Sequence, residues 1–329
     1  DEATGWECDK MSAAGFEANF AGYVGRLLSG PLAGRRVDGL VVDSWECGPT
    51  RWTPKMEAEF RRLNGYALRP WLPALFGYVL KSEAETERFL LDWRRTCSRL
   101  VEDNYYGTIA RLAHAQGLTA QYETAFGDVL PGDLLRFWKY ADEPMCEFWS
   151  PFDDANGYVT SHNFKPVRPC VSAAHLYGKR RVSAEAFTSL RLTFDETLQT
   201  LKEDANVHLC RGVTHLVFHT YTHNPVVGGL PPGSSFGCGI GTPFLRRQTW
   251  WPFLSGLTRY LAVCGHELER GKPVVDVLWY LGDALGHKPD ERGDRLGPGY
   301  KCDYLNRDVL ETRLDVREGR FVLPDGMSY

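Results

Sequence analysis

Short apolar or β-branched runs at 37–45, 118–124, 145–149, 182–188, 213–223 and 274–282 alternate with long amphipathic stretches at 13–28, 54–64, 83–115, 133–140, 169–177, 196–209 and 250–270. This alternation restricts the fold more than any other feature, because a strand that leads through a helix to the next strand builds parallel βα units. The punctuation agrees. Thr53 before Pro54 reads as a helix N-cap with proline at the first helical position, and Gly65, Gly117, Gly178 and Gly271 stand where helices should stop. The pattern predicts an α/β fold of the (β/α)8 TIM-barrel type over residues 1–310, with the start of a C-terminal β-rich region at 311–329. Six strands are visible where a barrel needs eight, so the first two are expected to precede Asp1. With no opening Met or leader, the sequence reads as an internal segment of a longer chain.

The ends of these strands carry the chemistry. Asp43-Ser44-Trp45-Glu46 closes one run, and Gln121-Tyr122-Glu123-Thr124, Glu147-Phe148-Trp149, Ala184-Glu185-Ala186-Phe187-Thr188 and His219-Thr220-Tyr221-Thr222-His223 close others. In a parallel barrel the C-terminal strand ends meet at one mouth, where side chains are functional, whereas strand bodies buried on both faces are expected to be apolar. One acid at a strand end is most simply a partner for an arginine. Several acids in one cavity repel each other and lose water, a cost that a bound cation or a catalytic role must offset. Glycoside hydrolysis needs such an inventory: one carboxylic acid to protonate the leaving oxygen, and one carboxylate to activate water or attack the anomeric carbon. Aromatics make up 13% of the chain, enough to serve both core packing and stacking on sugar faces.

Other chemistries lack their signatures. His219 and His223 have the i, i+4 spacing of a zinc helix, but their run is β-type and no H-E-x-x-H occurs. On alternate strand positions His215, His219 and His223 share a face and stand as candidate hydrogen-bonders to substrate. No G-x-S-x-G and no phosphate-binding loop is present; Gly237-Cys238-Gly239-Ile240-Gly241 reads as loop. The nine cysteines are scattered without a C-x-x-C pair, so neither a zinc site nor a disulfide framework is signalled. A net charge of -4 argues against a nucleic-acid partner, and no run approaches the roughly 18 apolar residues of a membrane span. The Gly- and Pro-rich stretch at 224–243 follows a strand end and is expected to cover the site.

Taken in order, the motifs Cys8-Asp9-Lys10-Met11-Ser12, Asp43-Ser44-Trp45-Glu46, Trp52-Thr53-Pro54, Glu147-Phe148-Trp149, Ala184-Glu185-Ala186-Phe187-Thr188, His219-Thr220-Tyr221-Thr222-His223-Asn224-Pro225 and Thr249-Trp250-Trp251 resemble the catalytic barrel of glycoside hydrolase family 106, the α-L-rhamnosidases. The likeness runs through the tail Gly319-Arg320-Phe321-Val322-Leu323-Pro324-Asp325-Gly326 and spans essentially the whole chain. It implies an inverting, calcium-assisted hydrolysis releasing terminal α-L-rhamnose from plant polysaccharides or glycosides. The two catalytic glutamates it implies fall on Glu46 and Glu185, with Glu46 preferred as base and Glu185 as acid, an order the residues themselves leave open. Glu123 and Glu147 are then the candidate ligands for Ca2+, and Asp43, Trp45, Trp149, His219 and His223 the candidate contacts to the sugar. Leu281-Gly282-Asp283 departs from the family by carrying Asp where Gly-Glu is expected. The resemblance further implies β-sandwich domains elsewhere in the parent chain and export to a bacterial periplasm or cell surface.

Two other readings remain beside this one. A related barrel hydrolase can act on another deoxy sugar or a uronate, since pocket contacts set the sugar. A carbohydrate-binding barrel without turnover is the other, and the presence of both Glu46 and Glu185 argues against it.

Overall fold

A computed structural model describes residues 7–45, 48, 50–123, 132–133, 135–150, 167–189, 196–221, 240–246, 248–282 and 296–329. Five strands, β1 (Gly39–Val42), β2 (Thr119–Glu123), β3 (Glu143–Trp149), β4 (Ser183–Thr188) and β5 (His215–Phe218), form one parallel sheet in sequential order. The sheet curls into half a barrel, and every neighbouring pair is parallel. Helices make the crossovers: α1 (Ala13–Gly22), α2 (Val24–Ser29), α3 (Met56–Asn64), α4 (Glu83–Val101), α5 (Gly107–Ala115), α6 (Val167–Tyr177), α7 (Leu198–Arg211) and α8 (Leu254–Leu268). The α/β alternation read from the sequence is therefore present, as a half-barrel among the described residues.

Local chemistry sets the helix ends. Ser82 accepts a hydrogen bond from the Glu85 amide to start α4, and Thr197 and Thr200 form a reciprocal capping box at the start of α7. Gly212 ends α7 at φ 108°, with α6 so close that a Cβ would sit 2.7 Å from Val171 Cγ1. The single long helix expected at 83–115 is instead α4 and α5 joined by a π-helical turn at Glu102–Tyr106. That turn places Glu102 toward a buried arginine described in the Discussion.

Along each strand, small apolar and aromatic residues turn outward into the helical layer. Ala120, Tyr122, Cys146, Phe148, Ala184 and Ala186 are buried there. Trp138 threads between two strands, its indole N–H donating to the carbonyls of Tyr122 at 3.1 Å and Met145 at 3.2 Å. The alternate positions Gln121, Glu123, Glu143, Glu147, Ser183, Glu185 and His215 line the concave face. This corrects the expectation of apolar strand bodies. Polar and acidic side chains such as Glu123, Glu143, Glu147, Ser183 and Glu185 occupy these positions instead.

Among the described residues, the run at 274–282 likewise pairs outside the main sheet. β6 (Val277–Tyr280) pairs in parallel with β7 (Cys302–Leu305) in a separate two-stranded sheet. That sheet lies against α6, where Ser172 donates to Asp303 at 3.1 Å and accepts from the Tyr304 amide at 3.0 Å. A short α9 (Arg307–Thr312) follows, then an antiparallel hairpin of β8 (Asp315–Arg317) and β9 (Arg320–Val322). Beyond the hairpin Leu323, Met327 and Tyr329 return to the core.

Phe148 stacks on His208 of α7 with centroids 3.8 Å apart, and burial lowers the imidazole to about 4 from an unfolded value of 6.5. Above about pH 6.5 both folded and unfolded chains hold it neutral. As pH falls from 6.5 toward 4 only the unfolded chain takes the proton, so stability is lost in that window, by up to roughly 3 kcal/mol. Thermal melting of a His208→Gln variant is expected to show a flatter pH dependence between 4 and 6.5; an unchanged slope would exclude His208 as its source.

Candidate active site

The strand order brings the C-terminal residues of β1 to β5 to one rim. Asp43 follows β1, Glu123 ends β2, Glu147 and Trp149 belong to the last turns of β3, Glu185 to β4, and His219 follows β5. Glu147 and Glu185 are direct register partners across β3 and β4. Asp43, Glu123 and Glu185 each present a carboxylate oxygen, and these three atoms lie within 4.8 Å of one another. Four of the residues singled out from the sequence thus share one site, and a fifth, His219, borders it.

Glu123 is the innermost acid. It is 2% exposed, and its Oε1 has no hydrogen-bond partner. Burial holds its carboxyl far above the usual carboxylate range, and the neighbouring charges of Glu185, Asp43 and Glu147 push the same way. A buried oxygen without a donor normally costs free energy. The Glu123 carboxyl stands beside two further carboxylates, the donor set that a hard cation with oxygen ligands selects. The residues present therefore fit a divalent cation such as Ca2+, which Asp43 and Glu123 would hold with Glu185 beside them. The ligand set implied from the sequence, Glu123 and Glu147, overlaps this cluster at Glu123, while Glu147 stands beside it.

Glu185 is held from two sides. Thr188 Oγ1 donates to its Oε1 at 2.5 Å, and His219 Nδ1 lies 3.2 Å from the same oxygen and 3.0 Å from Thr188 Oγ1. Thr188 belongs to a quoted motif, yet strand alternation argues against it, because residues i and i+3 of a regular strand point to opposite faces. His215, on the same face as His219, is used at the other end of the strands. Its Nδ1 lies 2.7 Å from Glu143, beside Ser183, and it does not reach the rim. Although burial raises Glu143, hydrogen bonds from His215 and Ser183 and the charges of His215 and Arg181 bring it below the usual range.

Trp45 is 4% exposed. Its N–H donates to the Gly48 carbonyl at 3.2 Å, Lys10 Nζ sits 5.5 Å over its ring, and Tyr105 packs against it edge-on. In this arrangement it packs the β1 loop and presents no open face. Trp149 is half-buried at the rim. Glu46, His223, Asp283 and most of the 224–243 stretch lie outside the described residues.

The family model Glyco_hydro_106, described as alpha-L-rhamnosidase, matches residues 1–329. A protein of Formosa agariphila named "Putative beta-glucuronidase" is 34% identical over 330 aligned positions, covering 99% of this chain and 27% of that protein. Among solved structures, a rhamnosidase from Novosphingobium sp. PP1Y superposes with a TM-score of 0.88 at 31% identity, covering 100% of this chain and 32% of that one. The chain thus spans about a third or less of the length of these relatives.

Proposed function

The chain belongs to glycoside hydrolase family 106, and from that premise we propose that its parent protein releases terminal α-L-rhamnose from plant polysaccharides or glycosides by an inverting two-glutamate mechanism. The observation that carries this reading is the convergence of Asp43, Glu123 and Glu185 within 4.8 Å at the strand ends. Glu123, 2% exposed and held far above the usual carboxylate range by burial, is ill suited to be the ionised base of an inverting pair, whose carboxyl groups stand about 6.5 to 9.5 Å apart with water between them. Glu185 as acid therefore needs its base elsewhere, and Glu46, at the end of the Asp43-Ser44-Trp45-Glu46 motif, takes that role. Glu185 delivers its proton to the leaving oxygen, while Glu46 draws one from the attacking water on the opposite face of the sugar. Trp149, His219, His223 and Asp43 supply contacts to the ring and its hydroxyls. Bound at Asp43 and Glu123, Ca2+ would offset the mutual repulsion of the acids. The protein would act on carbohydrate in a bacterial periplasm or outside the cell.

A second reading, hydrolysis of a β-glucuronide, is favoured by the name of the Formosa agariphila relative. The acids of the rim weigh against it, since they repel a uronate carboxylate unless a cation intervenes. Release of p-nitrophenol from the α-L-rhamnoside and from the β-D-glucuronide by the full-length protein separates the two. Turnover of the glucuronide alone would discard rhamnose and keep the barrel chemistry.

The cation has its own test. Ca2+ at about 100 times its Kd should stabilise the full-length protein by roughly 2.7 kcal/mol, visible as a rise in melting temperature that a chelator reverses. Glu123→Gln is expected to weaken Ca2+ binding by about tenfold or more in calorimetry, because it removes a charged ligand. Unaltered binding would move the cation away from Glu123.

A further inference from the structure

Residues 185 and 188 of β4 should not meet, yet they do. Opposite β3, Glu147 pairs with Glu185 but Trp149 pairs with Thr188, so two steps along β3 face three along β4. β4 therefore carries one extra residue, a β-bulge, and Phe187 within it has φ 66°, a left-handed conformation that an aromatic residue rarely adopts. The surroundings hold it there. The Phe187 ring is fully buried among Phe148, Phe218 and Phe244, and its carbonyl accepts the Thr242 hydroxyl at 2.8 Å. Strain fixed in this way concentrates at functional sites. Its effect here is to turn the buried Thr188 hydroxyl to the concave side, onto the Glu185 carboxyl.

We propose that Thr188 is a positioning residue, placed by the Phe187 bulge, that fixes the Glu185 carboxyl against His219 for the reaction. Asp43, Glu123 and Glu147 crowd Glu185 with further carboxyl groups, and a glutamate side chain has three torsions by which to swing among them. A hydroxyl has one proton, and at 2.5 Å Thr188 gives it to Glu185. The Nδ1 of His219 then carries its own proton toward both oxygens, at 3.0 and 3.2 Å. Together they confine Oε1 of the carboxyl, so that its orientation is set before substrate arrives, and displacement of about 1 Å in such a group can cost a hundredfold.

The proposal rests on Glu185 being a reacting carboxyl, so Glu185→Gln is measured beside it in the full-length protein. The substrate is an alkyl glycoside of whichever sugar the wild type releases, because its alkoxide leaving group needs protonation and a nitrophenolate does not. Thr188→Val, which keeps the shape and removes the hydroxyl, is expected to lower kcat by about 10- to 100-fold with KM within about threefold. Thr188→Ser, which restores the hydroxyl, should bring kcat back to within about threefold of wild type. Wild-type kcat in Thr188→Val beside an inactive Glu185→Gln would overturn the positioning role alone. An equal loss in the Val and Ser variants, with a lowered melting temperature in both, would also overturn it in favour of packing. An active Glu185→Gln would instead remove Glu185 from the mechanism.

Discussion

Glu185→Gln in the full-length protein lowers kcat by about 10²- to 10⁴-fold, the contribution expected of a positioned acid or base. The substitution keeps size and shape, and an amide oxygen can still accept from Thr188, so the fold is not at stake. It leaves a neutral amide beside Glu123, which is no costlier to bury than the carboxyl it replaces. Melting temperature without added cation is accordingly expected to hold or rise, which separates loss of chemistry from loss of structure. The leaving group identifies the role. If Glu185 is the acid, the loss shrinks for an aryl glycoside whose phenolate departs without protonation, and it stays constant across leaving groups if Glu185 serves as base. Glu46→Gln should show the complementary pattern. Near-normal kcat in Glu185→Gln would leave the strand-end acids as a cation site only.

Much of this site was legible because it depends on topology. Parallel strands with helical crossovers put their C-terminal ends together, so acids at the ends of four runs had to share a rim, and Glu123, Glu147 and Glu185 do. What failed was the expectation of apolar strand bodies, although the contrary signal was present. Gln121 and Glu123, Glu143 and Glu147, Ser183 and Glu185, His215 and His219 repeat at even spacings, the period-2 pattern of a half-exposed face. That pattern should have outweighed the analogy to a packed barrel. Other features are invisible to spacing. Nothing local distinguishes a strand of the main sheet from β6, whose partner β7 lies about 25 residues away in sequence. The burial of Trp45 follows from Lys10 and Tyr105, both distant along the chain. Thr188 reaches Glu185 only through a left-handed Phe187, a conformation that no propensity scale assigns to phenylalanine.

Arg136→Ala is expected to cost about 3 to 5 kcal/mol, because it strands buried acids rather than merely losing a contact. The guanidinium is 5% exposed. It pairs with Glu102 of the π-helical turn, with Asp103 at 2.8 Å and with Asp308 of α9 at 3.2 Å. Around it Tyr140 donates to Asp103 at 2.5 Å, Lys139 to Asp308 at 3.0 Å, and Asn306 to Asp133 at 2.9 Å. Three segments far apart in sequence are tied at this one residue: the π-helical turn, the segment carrying Asp133 and Arg136, and α9. Burial already pushes Glu102 up to about 7 despite Arg136. A carboxyl whose folded value lies above its unfolded one loses stability as pH rises between the two, here from 4.5 to about 7. Without the arginine that penalty grows, so the variant should be more destabilised at pH 8 than at pH 5, where Glu102 can take a proton. A fall in melting temperature of roughly 10 °C is the scale to look for. Adding Glu102→Gln to Arg136→Ala should recover part of the loss and flatten its pH dependence. A cost below about 1 kcal/mol, independent of pH, would mean that water reaches these acids and that the tie between the segment carrying Arg136, the π-helical turn and α9 is made by packing alone.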